Sequence, residues 1–367
     1  MKRVLYYVYL FFITLLILEI LLRIYNPFHL RLKGDKIVLP VNIKMTIRNR
    51  INPKLDPLII NTRNSLGLRG PELPQTKDSL LKIITIGGST TECHFLNDEK
   101  TWPFLLGRKL ADSFPHSWLN NAGLDGHSTY GHIVLLNGHI KQLHPSVILF
   151  MTGINDIETA DPTFHDKMNT RGAVPDWRHY LFENSEVLNL VLNLVRGWRA
   201  QKFNNTTNNM LVLDSTRRLE IPDSVYNKRL ADQQPFLDAY RRRLTQLADT
   251  CEAWHIRPVF ITQACQFGPG KDSLTGTDLE LFPADPKDPS INGRLLWAIL
   301  EKYNDVTREF AGSRHFPLID LARAMPKNSL YFYDNCHLTN PGAEKVASIV
   351  ANGLIPVLDQ YFPHYHR

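Results

Sequence analysis

From Val4 to Leu22 the chain is apolar almost without a break. That is close to the ~20 residues that cross a bilayer as a helix, so the pattern predicts one transmembrane helix at the N-terminus. Glu19 lies near its far end, where an ionisable group reaches the interface, and Arg23 follows at the i+4 spacing that lets the two pair on one face. The following Leu-Leu-Arg-Ile-Tyr-Asn-Pro27 has no small-x-small cleavage pattern, which favours an uncleaved anchor over a signal peptide. Basic residues nearly balance across the run, Lys2 and Arg3 against Arg23, Arg31 and Lys33, so charge leaves the orientation open.

After residue 80 the pattern changes to short β-rich runs separated by helical stretches. Lys82–Ile86, Trp118–Gly123, Val147–Met151, Pro258–Thr262 and Phe316–Asp320 read as strands. Helices are predicted over Trp102–Phe114, Tyr130–Leu143, Phe236–Trp254, Leu295–Ala311 and Ala343–Leu358. Such alternation signals an α/β domain with a doubly wound parallel sheet. The organisation expected is an anchor over 1–25, a connector over 26–80 and one α/β domain over 81–367. That domain carries insertions at about 157–235 and 267–293. The first insertion holds a strongly apolar helix, Val187–Val195, expected to shape an apolar wall beside the site or to pack against the sheet or bilayer, and then the polar tract Asn204–Asn209. The second is rich in Pro, Asp and Gly and has the character of a lid or substrate wall.

With 367 residues and 43% hydrophobic content the chain buries a large core. Its 42 Lys+Arg against 36 Asp+Glu give a net charge of +6, scattered rather than gathered into a basic, aromatic-interleaved patch, which argues against nucleic-acid binding. The triple Arg241-Arg242-Arg243 reads as a solvated helix face. Cys93, Cys251, Cys265 and Cys336 show none of the spacings typical of zinc, so no metal is expected; Cys251 and Cys265 bracket a helix end and a strand, which admits a disulfide.

Candidate chemistry concentrates after the strands. Lys82-Ile-Ile-Thr-Ile-Gly-Gly-Ser-Thr-Thr-Glu92 delivers Ser89 to a glycine turn at a strand's carboxyl end, where open α/β sheets place ligands. A serine hydroxyl needs an imidazole to take its proton, and the imidazole needs a carboxylate to fix its tautomer; Asp334-Asn-Cys-His337 supplies both from one loop. Donors for a developing oxyanion are the backbone N–H of Ser89, the backbone N–H of Gly126 in Asn121-Ala-Gly-Leu-Asp-Gly126, and the side-chain amide of Asn155 in Gly153-Ile-Asn-Asp156. Asp156 reads as structural, and Cys93 and Cys336 as small buried thiols near the site.

These four blocks, in this order, resemble the SGNH subgroup of the GDSL hydrolase superfamily over roughly residues 81–358. The resemblance implies a three-layer α/β/α flavodoxin-like sandwich and a Ser89-His337-Asp334 triad with a Ser89/Gly126/Asn155 oxyanion hole. It also implies a serine esterase acting on an O-acyl ester without cofactor. One departure stands out: the usual Gly-Asp-Ser-Leu reads Gly87-Gly88-Ser89-Thr90 here. Similar anchored members imply a single-pass protein with an extracytoplasmic catalytic domain and cell-envelope glycan or lipid esters as substrates. An O-acyltransferase using the same acyl-enzyme, and a non-catalytic binding module on the same scaffold, are the rival readings.

Overall fold

The computed structural model describes residues 2–28, 32–33, 36–50, 52–75, 80–162, 166, 177–202, 211–285, 288 and 290–367. In chain order the elements begin with α1 (Lys2–Ile24), β1 (Leu32–Lys33), β2 (Lys36–Ile37), β3 (Ile43–Arg48), β4 (Leu58–Arg63), β5 (Leu81–Gly87) and α2 (Ser89–Glu92). Next come α3 (Trp102–Leu110), β6 (Ser117–Asn121), α4 (Thr129–Leu135), β7 (Val147–Met151), α5 (Trp177–Asn184), α6 (Glu186–Lys202) and α7 (Asp223–Ala231). The chain closes with α8 (Gln234–Ala253), β8 (Arg257–Ile261), α9 (Gly293–Ser313), β9 (Leu318–Ile319), α10 (Leu321–Ala324) and α11 (Asn340–Tyr361). They fall into two compact units, one of residues 1–40 with 167–208 and one of 41–166 with 209–367.

The larger unit is built on a five-stranded parallel sheet of order β6-β5-β7-β8-β9. Strands buried on both faces need no polar alternation, and β7 (Val-Ile-Leu-Phe-Met) is buried at every position. Period two still sorts the side chains. Leu81, Ile83, Val147 and Leu149 join α3 and α11 in one core, with Leu106, Leu110, Val346, Val350, Leu354 and Leu358. On the other face Phe150 stacks on Phe260, which meets Phe310 of α9 edge-on, while Tyr240 of α8 and Tyr303 of α9 meet at a tilt. The result is three layers, α/β/α, in the flavodoxin-like strand order 2-1-3-4-5 counted along the sheet's own strands. Order reverses between β5 and β7, and at such a switch point the carboxyl ends open a crevice for ligand.

Residues 41–75 are part of this unit. β3 and β4 pair antiparallel from Ile43 opposite Arg63 to Arg48 opposite Leu58, with alternate residues of β4 buried. Arg69, 3% exposed, bonds the carbonyls of Glu92, Cys93 and Leu96 at 2.8, 2.8 and 2.5 Å and Asp98 at 2.7 Å. Arg63 of β4 reaches Glu92 at 2.6 Å. These guanidiniums fill the acceptors of the chain leaving α2, which has no strand or helix of its own to satisfy them.

The smaller unit contains α1, the β1–β2 ribbon, α5 and α6. α1 is long and apolar enough to cross a membrane. The Val187–Val195 helix belongs here, packed with α1. The Asn204–Asn209 tract lies outside the described residues.

Arg69→Ala is expected to cost at least about 3 kcal/mol in chemical denaturation, because it strands a carboxylate and buried carbonyls together. A loss under 1 kcal/mol would mean that residues 41–75 only lie on the surface of the unit.

Candidate active site

β5 ends at Gly87, and Gly88 leads into the single turn of α2, whose first residue is Ser89. A Cβ on Gly87 would overlap Thr91 Oγ1, and one on Gly88 would overlap the Asn155 amide nitrogen, so the turn admits only glycine without displacement. This gives the Gly-Gly-Ser sequence a physical reason: the space beside Ser89 that an aspartate would need is held by Asn155. Cys93, in the left-handed region at φ 52°, ends α2 after one turn.

The partner comes from the loop before α11. Ser89 Oγ lies 2.7 Å from His337 Nε2, and His337 Nδ1 lies 2.6 Å from Asp334 Oδ2. Asp334 Oδ1 accepts the backbone N–H groups of His337 and Cys336 at 2.7 and 3.0 Å, so one carboxylate fixes both the loop and the ring. The Tyr333 ring lies parallel to the imidazole at 5.5 Å. Burial opposes a charge on His337, and the Cys336 thiol, pushed up by its own burial, stays neutral. The Asp334 carboxylate prevails and raises His337 well above the usual imidazole value. Burial likewise opposes the charge on Asp334, but His337 and the two amides hold its pKa below the ordinary value. Lys54 braces the loop from the β3–β4 connection, donating to the carbonyls of Ser329 and Phe332 at 2.9 and 3.2 Å. Asp272 accepts the Ser329 N–H at 2.6 Å.

Residues 124–129 form the third side, held by carboxylates. Leu124 N–H donates to Gly87 O, Asp125 N–H to Glu92, His127 N–H to Leu124 O, Ser128 N–H to Asp166 and Thr129 N–H to Asp156. Gly126, at φ 70°, is the exception: among the described residues its N–H has no acceptor, and neither has that of Ser89. Asn155 Nδ2 donates to His127 O at 2.9 Å, which leaves its second N–H uncommitted. Asp334, Cys336 and His337 bring three ligand-type atoms within 4.8 Å of one another. Asp334 Oδ2 and both imidazole nitrogens are already engaged with each other and Ser89, and the buried Cys336 thiol is not the thiolate a soft metal prefers. The arrangement is suited to moving a proton off a hydroxyl and receiving negative charge beside it.

The GDSL-like lipase/acylhydrolase family model matches residues 85–345, most of the larger unit. The chain belongs to that family. It is therefore a hydrolase. No curated protein matches this acylhydrolase in sequence. Solved structures similar to it include an acetyl xylan esterase, AlAXEase, at 14% identity and TM-score 0.43, covering 74% of this chain and 98% of that one. A catalytic mutant of an acetylxylan esterase from Geobacillus stearothermophilus aligns at 12% identity and TM-score 0.42, over 74% and 93%. An alpha/beta hydrolase enzyme from the metagenome of Lake Arreo, Spain, aligns at 15% identity and TM-score 0.39, over 74% and 94%.

Ser89, Gly126, Asn155, Asp334 and His337 thus all converge on one edge of the sheet of this acylhydrolase. Two other expectations are corrected. Arg243 is not solvated: it is buried, 3.1 Å from Asp156 and 2.6 Å from Thr129 Oγ1, and only Arg242 of the triple is exposed. All four cysteines are free and buried, so Cys251 and Cys265 are not bridged. The apolar cluster that includes Cys336 is built by Leu211, Leu213, Phe267, Leu279 and Phe282, with Ile154 and Ile157 against it. Arg63, Arg69, Glu92, Lys54, Asp166 and Asp272 support the site without any signal in local sequence, since each partner is remote in the chain.

Gly88→Ala is expected to fold with near-native stability, because the clashing group is the free end of a side chain. Pushing the Asn155 amide aside should lower kcat on p-nitrophenyl acetate by ~10²–10³. A wild-type kcat with an unchanged melting temperature would show that the position of Asn155 is immaterial.

Proposed function

We propose that this acylhydrolase is a membrane-anchored serine esterase, a reading carried by the Ser89–His337–Asp334 relay at 2.7 and 2.6 Å. Ser89 Oγ attacks the ester carbonyl as His337 Nε2 takes its proton, and Asp334 holds the ring and stabilises the imidazolium. The oxyanion receives the Ser89 and Gly126 N–H groups and the free Asn155 amide N–H, each expected to contribute ~3 kcal/mol in the transition state. The imidazolium protonates the departing alcohol, leaving an acyl-Ser89 ester. His337 then activates water, the acid is released and Ser89 regains its proton. α1 is the single-pass anchor. Resemblance to anchored members supports an extracytoplasmic domain acting on O-acylated cell-envelope glycans or lipids. Transfer to a sugar hydroxyl differs only in the second nucleophile, so product ratios with and without acceptor sugars separate the two.

Asn155→Ala should lower kcat by ~10²–10³ at nearly constant KM while Ser89 still reacts with a serine-directed phosphonate. His337→Ala should abolish labelling and leave only ~10³–10⁴ over the uncatalysed rate. Labelling of that variant at the wild-type rate would refute the assignment.

Because Asp334 stabilises the imidazolium, the inactive protonated form persists to higher pH than for a free imidazole. The kcat/KM profile should rise with pH through a midpoint above 6.5, and Asp334→Asn should move the midpoint down. An unchanged midpoint in that variant would place the titrating group elsewhere.

A further inference from the structure

We propose that α6 is a second membrane contact, lying in the lipid interface beside α1 with its exposed apolar stripe toward the acyl chains. The junction between the two helices is unusual. Glu19, inside the apolar α1, accepts the Ser185 hydroxyl at 2.9 Å and the N–H groups of Glu186 and Val187 at 3.0 and 3.1 Å, so it caps the start of α6 from another helix. Arg23 bonds Glu19 at 2.8 Å and the Asn184 carbonyl at 2.5 Å, and Asn26 and Lys33 hold Glu186. Polar groups at this corner therefore satisfy one another and do not draw α6 into water.

From that corner α6 carries Val191, Leu194, Val195 and Trp198 at i, i+3, i+4 and i+7, exposed by 51, 60, 41 and 61%. Val187 and Leu188, half-exposed, extend the same stripe toward Glu19. Leu181 and Tyr180 of α5 are exposed as well. The occupant follows from continuity with α1. Glu19 lies about 7 Å before the end of α1 at ~1.5 Å per residue. Headgroup layers add roughly 5–7 Å on each side of the ~30 Å hydrocarbon core. A helix that starts at Glu19 thus starts at the boundary where amphipathic helices lie in the membrane plane. Arg196, one turn from the stripe, adds basic character of the kind that anionic headgroups attract. A second copy of the chain is the other occupant that would cover the stripe, and the test below separates the two.

The test uses the full chain. Leu194→Cys, labelled with an NBD fluorophore while the four native cysteines remain buried, is reconstituted into phosphatidylcholine/phosphatidylglycerol vesicles. A blue-shifted emission that loses intensity when the acyl chains are brominated is the expected result, with hydrolysis of p-nitrophenyl acetate unchanged. Should Leu194→Cys not fold, Val191→Cys reports the same stripe. Emission insensitive to brominated lipid overturns the proposal. That holds whether the probe is solvated, covered by the protein's own chain, or quenched by a second labelled copy, which would mark an interface between chains.

Discussion

One contact sets the terms for the larger unit: a hydroxyl and an imidazole 248 positions apart must meet at 2.7 Å. A hydrogen bond of this kind contributes only ~1 kcal/mol net, far less than the entropy of ordering the chain between its ends, so it cannot assemble the site. The sheet does. Its parallel strands all end at one edge, so the turns after β5, β6 and β7 deliver Ser89, Gly126 and Asn155 together, and the Asn155–His127 and Leu124–Gly87 hydrogen bonds only trim their positions. His337 is placed from behind, by α11. Val346, Val350, Leu354 and Leu358 each bury a side chain for about 1.5–3 kcal/mol, and Thr339 caps the helix two residues after the imidazole.

Local satisfaction of polar groups then decides what the site has to offer. A buried N–H without a partner costs ~1–3 kcal/mol, and the loop at 124–129 avoids that cost at nearly every position by drawing on Gly87, Glu92, Asp166 and Asp156. Gly126, at positive φ, is the position where that pairing lapses among the described residues. On the proposed assignment, an amide left free in a loop whose other N–H groups are held by carbonyls and carboxylates would meet an oxyanion without reorganisation, and that is where electrostatic preorganisation has its advantage over solvent.

The strands, their helices and all five candidate residues were legible in sequence because their signals are local: unbroken apolar runs for a sheet buried on both faces, and short glycine, asparagine and Asp-x-x-His turns after them. The strand order required the fold-level resemblance, since apolar runs do not say which strand neighbours which. What stayed hidden depends on distant pairing. Arg243 looks like its solvated neighbour Arg242 until Asp156 is placed beside it. β3 and β4 alternate with charged and polar residues that read as a connector, although Arg63 and Arg69 face inward. The Val187–Val195 helix announced that it had to cover something, but period 3.6 cannot name the surface, and that surface is α1.

Glu19 links the two halves of the smaller unit in a way that composition alone would count as a flaw. A carboxylate in a helix this apolar is tolerated only where it is paired and hydrogen-bonded, and Arg23 by itself leaves acceptor sites on it open. The first turn of α6 has the opposite deficit, N–H groups that no preceding turn can accept. Each deficit is filled by the other, across more than 160 positions of sequence. Removing either helix therefore leaves the other with orphaned polar groups. On the proposed reading α6 is a part of the anchor, and its distance along the chain from α1 says nothing about its distance from the bilayer.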